Sequence, residues 1–215
     1  MTYLDLVNNV LRRLREEEVT SVSSTTYSKM AGDFVNDAKK LIESAWDWSG
    51  LRTVLVVPTV ADTSLYSLVD SKDTIKVQNI INDTANVFMS YRESSWFDDK
   101  YYNQDVVSGV PEYYTFRGLD GNGDTQFEVY PQPDSVYSMR VKGTFRNDDL
   151  SADTDVLNIP HIPVIHLALA MLARERGETG GTATPEYFAI ADKYLSDAIA
   201  LDAQKHPEET IWRTP

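Results

Sequence analysis

Apolar residues recur along this chain with two different periods, and the points where the period changes decide what it can fold into. Tyr3, Leu6, Val7, Val10, Leu11 and Leu14 fall at steps of three and four, which places them on one stripe of a helix. After the polar stretch TSVSSTT, Tyr27, Met30, Phe34, Ala38, Leu41, Ile42, Ala45 and Trp46 repeat that spacing from a Ser/Thr-rich start. From Thr53 to Phe145 short β-branched and aromatic runs replace the helical stripe: TVLVV, SLYSLV, TIKVQNII, NVFMSY, EYYTFR, TQFEVYP and SVYSMRVKGTF. Beyond Pro160 the helical pattern returns. Val164, Ile165, Leu167, Ala168, Leu169, Met171 and Leu172 are so uniformly apolar that they predict a central helix, with Arg174 and Arg176 in its last turn and Gly177 as its cap. After the link GETGGT, a last helix carries Tyr187, Phe188, Ala191, Tyr194, Leu195, Ala198, Ile199 and Leu201 on one side and stops before Pro207.

Two helices at the start are too few residues for a domain of their own, so pairing them with the last two gives one shared core. The expected class is α+β: a four-helix bundle from residues 1–49 and 158–206, an inserted antiparallel β region at 50–157, and an extended C-terminal tail at 207–215. One interruption of the β block, SSWFDDKYYNQD, reads as a short helix or exposed loop. Its aromatics favour a lid over the end of the β core.

Charge and composition exclude several classes. The net charge of −13, from 20 basic and 33 acidic residues, repels a nucleic-acid backbone. The absence of cysteine removes disulfides, thiolate metal sites and cysteine catalysis. No run approaches the roughly 18 apolar residues of a membrane span, and MTYLDLVNN lacks the regions of a secretory signal, so synthesis in the cytoplasm and no membrane partner are expected.

The sequence offers few chemical constellations. Asp120, Asn122 and Asp124 in GLDGNGDTQFEVYPQP resemble the start of a calcium loop, but the sixth position is Thr125 and the twelfth Pro131, where glycine and glutamate are needed. A hairpin turn is expected instead, with Gly121, Asn122 and Gly123 supplying positive φ. His161 and His166 are five apart, about 140° around a helix, and do not share the face that an i, i+4 zinc pair requires. The carboxylate pairs Asp98, Asp99 and Asp148, Asp149 lie in polar sequence with nothing to desolvate one member. The G-x-S-x-G, G-x-x-x-x-G-K and G-x-G-x-x-G strings are absent. No catalytic residue, metal or cofactor is therefore expected. In the tail HPEETIWRTP, Ile211 and Trp212 stand alone in a polar, proline-bounded segment, as an anchor would, or as a tryptophan folded back on its own helices.

The opening YLDLVNNVLRRL with its V-T-S-V, the second helix ending in WDW, the strand pair FEVYPQP and YSMRVKGTF, and LNIPHIPVIHLALAMLA before an alanine-rich last helix together resemble a known family. It is that of the head-to-tail adaptor proteins of short-tailed bacteriophages, also called tail tubular protein A or gatekeeper proteins. The resemblance spans nearly the whole chain and rests on the order and spacing of loose motifs. It implies a virion structural protein, not an enzyme: a homo-oligomeric ring, usually dodecameric, beneath the portal protein, carrying the tail nozzle and letting genomic DNA pass without specific binding.

A ring requires one side of each copy to meet the opposite side of the next. Trp96, Phe97, Tyr101, Tyr102, Gly121 and Asn122 are the expected intersubunit or tail-side contacts, and Ile211, Trp212 and Arg213 the expected portal contacts. An acidic wall also suits a conduit that must not hold DNA. Two other classes stay open: a carbohydrate- or receptor-binding tail module, motivated by the 11% aromatic content, and a hydrolase with dispersed residues.

Overall fold

A computed structural model describes residues 1–68, 74–177 and 184–205. Its helices are α1 (Tyr3–Arg13), α2 (Thr26–Ala45), α3 (Ser94–Tyr102), α4 (His161–Arg176) and α5 (Thr184–Ala203). The strands are β1 (Arg52–Pro58), β2 (Leu65–Ser67), β3 (Thr74–Asn82), β4 (Val87–Phe88), β5 (Ser90–Tyr91), β6 (Ser108–Gly109), β7 (Tyr113–Leu119), β8 (Thr125–Tyr130), β9 (Gln132–Pro133) and β10 (Ser138–Phe145). Two compact units result: Met1–Gly50 with Asp148–Pro215, and Leu51–Asn147.

In the helical unit, side-chain caps start α1 and α2 where the apolar stripe begins. Thr2 and Asp5 form a capping box on α1, with the Asp5 amide donating to Thr2 Oγ1 and the Thr2 amide to Asp5 Oδ2, both at 3.2 Å. Thr25 and Ser28 do the same for α2. The stripe Tyr3, Leu6, Val7, Val10 and Leu11 is buried, as are Ala31, Val35, Ala38 and Ile42 of α2 and Val164, Ile165, Ala168 and Leu172 of α4. Close approach is enforced at Gly32, where a Cβ would collide with the Tyr3 hydroxyl. Two asparagines clamp the connections: Asn8 takes both the amide and carbonyl of Val19 at 2.9 Å, and Asn36 those of Leu150 at 2.9 and 3.0 Å. The acidic segment after Asn147 belongs to this unit, with Tyr3 donating its amide to the Asp155 carbonyl at 2.8 Å.

The expected four-helix bundle is not what forms. Helices α1, α2 and α4 pack mutually, whereas the contacts of α5 run chiefly along α4. Helix α5 is apolar on too much of its circumference for its spacing to select one buried stripe: Ala191 and Ala198 go inward with Asp202, while Leu201 is 65% exposed. A fifth helix, α3, lies in the strand unit. Nor is that unit purely antiparallel. β5 pairs with β7, and β6 with β9, in parallel. The α+β class holds; the four-helix bundle with an antiparallel insert does not.

The strand unit has sheets ordered β1-β10-β3-β4, β2-β8-β7-β5 and β6-β9. Alternation sends Met139 and Val141 of β10 and Ile80 of β3 into one core with Tyr114 of β7 and Phe127 and Val129 of β8. Leu55 and Val57 of β1 pack against that cluster from the edge. A register shift between Lys142 and Gly143 bends β10, and a Cβ at Gly143 would sit 2.7 Å from the Lys76 carbonyl.

Candidate functional site

Helix α3 packs against β7, on the face of the β2-β8-β7-β5 sheet turned away from the core. Phe97 is fully buried, with Tyr101 and Tyr130 beside it at ring separations of 6.3 and 6.4 Å. Trp96 meets Tyr113 at 5.1 Å and Tyr130 edge-on at 5.3 Å. The Tyr101 hydroxyl donates to the Val129 carbonyl at 2.6 Å, and burial pushes its phenol well above the usual range. Arg117 fastens the helix electrostatically, reaching Asp98 and Glu128 at 2.7 Å each. Arg92 lies over Tyr113 at 5.3 Å and Lys100 over Trp96 at 5.6 Å, so cations cover the outer ring faces. Tyr102, at the end of the helix, is 81% exposed.

The comb of Asp120, Asn122 and Asp124 forms the β7–β8 turn. Asp120 Oδ1 accepts from the amides of Asp124 and Asn122 at 3.0 and 2.8 Å, and the bond from Asp124 above all holds its carboxyl below the ordinary value. Thr125 already belongs to β8. Positive φ falls at Gly123 (90°) and Gly118 (120°), not at Gly121 or Asn122 as the sequence suggested, because the register shift near Gly118 takes part of the bend.

The remaining candidates are occupied structurally. Asp98 serves Arg117, and Asp149 holds Lys40 at 2.8 Å. His166 Nε2 lies 2.7 Å from Arg13 Nη1, and its ring stacks on Tyr194 at 4.4 Å. Burial, helped by the Arg13 charge, lowers its pKa, which suits a neutral acceptor. Asp202 accepts from the Ser49 amide and hydroxyl at 2.9 and 2.6 Å and from Lys205 at 3.0 Å. Burial would raise this carboxyl, but those bonds outweigh it and bring it down to about 2. Among the described residues no three His, Asp or Glu side chains are grouped to hold a metal, and no helix is long and apolar enough to cross a membrane. Ile211, Trp212 and Arg213 lie outside the described residues.

Sequence spacing alone did not disclose a second surface, the far face of the β1-β10-β3-β4 sheet. Val54 and Val56 are 46% and 60% exposed there, and Phe88 72%. Pro58 at the end of β1 was one available signal, since proline belongs on edge strands. The alternation of Arg140 and Lys142 in MRVKGTF was another.

The aromatics Trp96, Phe97 and Tyr101 of α3 thus pack within the chain, while Tyr102, Phe88, Val54 and Val56 stay exposed. Over residues 1–213 the chain matches the family model described as SU10 adaptor protein, and it belongs to that family. It is thus a phage adaptor with a structural role in the virion. No curated protein matches it.

Proposed function

We propose that this adaptor assembles head to tail into a closed ring, dodecameric by the family resemblance, seated under the portal protein. It links the portal to the tail nozzle and forms part of the channel through which genomic DNA passes. The observation that carries this reading is the family match over residues 1–213, which leaves neither unit outside it. The charge of −13 supports it, because an acidic wall raises the energy of close phosphate approach without specific contact. No catalytic step is assigned, and after synthesis in the host cytoplasm the protein resides at the head-tail junction.

Within α3, Tyr102 and the exposed rim of Trp96 are the proposed intersubunit or tail-side contacts, joined by the turn at Gly121 and Asn122. Phe97 and Tyr101 hold that helix in place from below. Ile211, Trp212 and Arg213 are the proposed portal contacts. Electron microscopy of the protein mixed with purified portal tests the reading. Rings on the portal are expected from the intact chain; deleting 207–215 should abolish their attachment. A protein that stays monomeric and unattached in the presence of portal would end the proposal.

A further inference from the structure

Two exposed faces of this chain match one another in length and in charge. Register gives the first. Val56, Arg140, Ile81 and Phe88 stand in one row across β1, β10, β3 and β4, and Val54, Lys142 and Asn79 in the next. Directly paired residues share a face, and this one points away from the core, to which β1 instead contributes Leu55 and Val57. Aliphatic side chains thus alternate with cations. Protection of a sheet edge does not explain Arg140 and Lys142, because β10 is a central strand. Asp83 pairs with Arg140 at 2.7 Å beside the row, so the face carries two cations, Arg140 and Lys142, against one carboxylate on a strongly acidic protein.

The second face is on α5. Glu186, Ile190, Tyr194, Asp197 and Leu201 follow one another at three- and four-residue steps and form one stripe, with Lys193 at its margin. Ile190, Tyr194 and Leu201 are 42%, 37% and 65% exposed, on the flank of the helix beside buried Ala191 and Ala198, with the Tyr194 ring stacked at its inner edge on His166 of α4. The stripe is about 22 Å long at 1.5 Å per residue, and β1 runs about 20 Å at 3.3 Å per residue. Four strands spaced about 4.8 Å apart give a bed wide enough for a helix about 10 Å across.

We infer that α5 of one copy lies on the β1-β10-β3-β4 face of a second copy. Ile190, Tyr194 and Leu201 meet Val54, Val56 and Phe88, while Glu186 and Asp197 approach Lys142 and Arg140. The occupant is another copy of this chain because the charges are opposite on the two faces and the apolar residues on both have nothing to offer a phosphate backbone. The two faces differ, so each bound pair keeps one unused face of each kind, and the contact propagates until a rotation closes it. This interface rests on the ring proposed above and names the surfaces that build it. It also supplies local attraction between copies whose net charges repel.

The chain contains no cysteine, so single thiols report cleanly. Val56→Cys and Ile190→Cys are prepared separately, mixed, treated with a short bifunctional thiol cross-linker and run on denaturing gels, with electron microscopy of the unmodified protein alongside. The mixture should give a dimer band that neither variant gives alone, and the double variant a ladder. In parallel, Lys142→Glu and Asp197→Lys should each lower assembly about tenfold through one like-charge contact, and mixing them should restore it. Rings without the mixed cross-link, self-linking of either variant alone, or closure within a single chain would overturn the inference while leaving the ring intact. Absence of both rings and cross-links at every concentration removes the two together.

Discussion

The two main sheets of the strand unit have opposite fates on their outer faces. Sheet β2-β8-β7-β5 is roofed by α3, whereas on sheet β1-β10-β3-β4 Ile81 is buried but Val54, Val56 and Phe88 stay exposed. Both contribute to one core through the same alternation, so the difference does not come from the inward residues. It comes from what stands at the alternate positions. Tyr113, Arg117, Glu128 and Tyr130 offer rings and charges that α3 satisfies, whereas Val54 and Val56 offer aliphatic groups that stay about half exposed. The roof therefore contributes to folding. The exposed Val54, Val56 and Phe88 contribute less to it and are open to association.

The largest test of that contrast is Phe97→Ala. A fully buried ring lost from beneath the roof should cost about 3–5 kcal/mol in denaturant unfolding, with disruption of α3 seen as loss of near-ultraviolet signal from Trp96. A loss under 1 kcal/mol, on the order of a surface change, would mean that α3 is not held by this ring. Tyr101→Phe should cost about 1 kcal/mol, because it removes the hydroxyl that donates to Val129 and leaves that carbonyl without this partner. The smallest effect is expected on the other sheet, where Val56→Thr should change stability by less than about 0.5 kcal/mol while reducing self-association. If Val56→Thr unfolds the protein as readily as Phe97→Ala, the two faces are not different in kind.

Helices α1, α2 and α4 were legible because each joins an apolar stripe to a recognisable end: Thr2 and Thr25 as N-caps, Gly177 in the left-handed conformation as a C-cap. Which way α5 faces was not legible. Its Tyr, Phe, Ile, Leu and Ala residues lie around much of the helix, so only the tertiary fit of Ala191 and Ala198 on α4 decides the matter. The strands were visible as alternating runs, but their partners were not, since parallel pairing of β5 with β7 depends on contacts far apart in sequence. In RTVLVVP every central residue is apolar, and nothing local tells Val54 and Val56 from Leu55 and Val57. The aromatic cluster of α3 announced itself by composition. Its division into buried Phe97 and exposed Tyr102 required the sheet beneath.

The grip of Asp202 on Ser49 joins the last turns of α5 to the residue that precedes the passage into the strand unit. One carboxylate therefore ties the end of α5 to Ser49, in addition to the packing of α5 on α4. Because the folded carboxyl is depressed from 3.8 to about 2, the tether is whole at neutral pH and slackens only as acid takes the pH below 4 towards 2. Acid would thus release the last turn of α5 from Ser49 while the carboxylates that keep an ordinary pKa are already protonated.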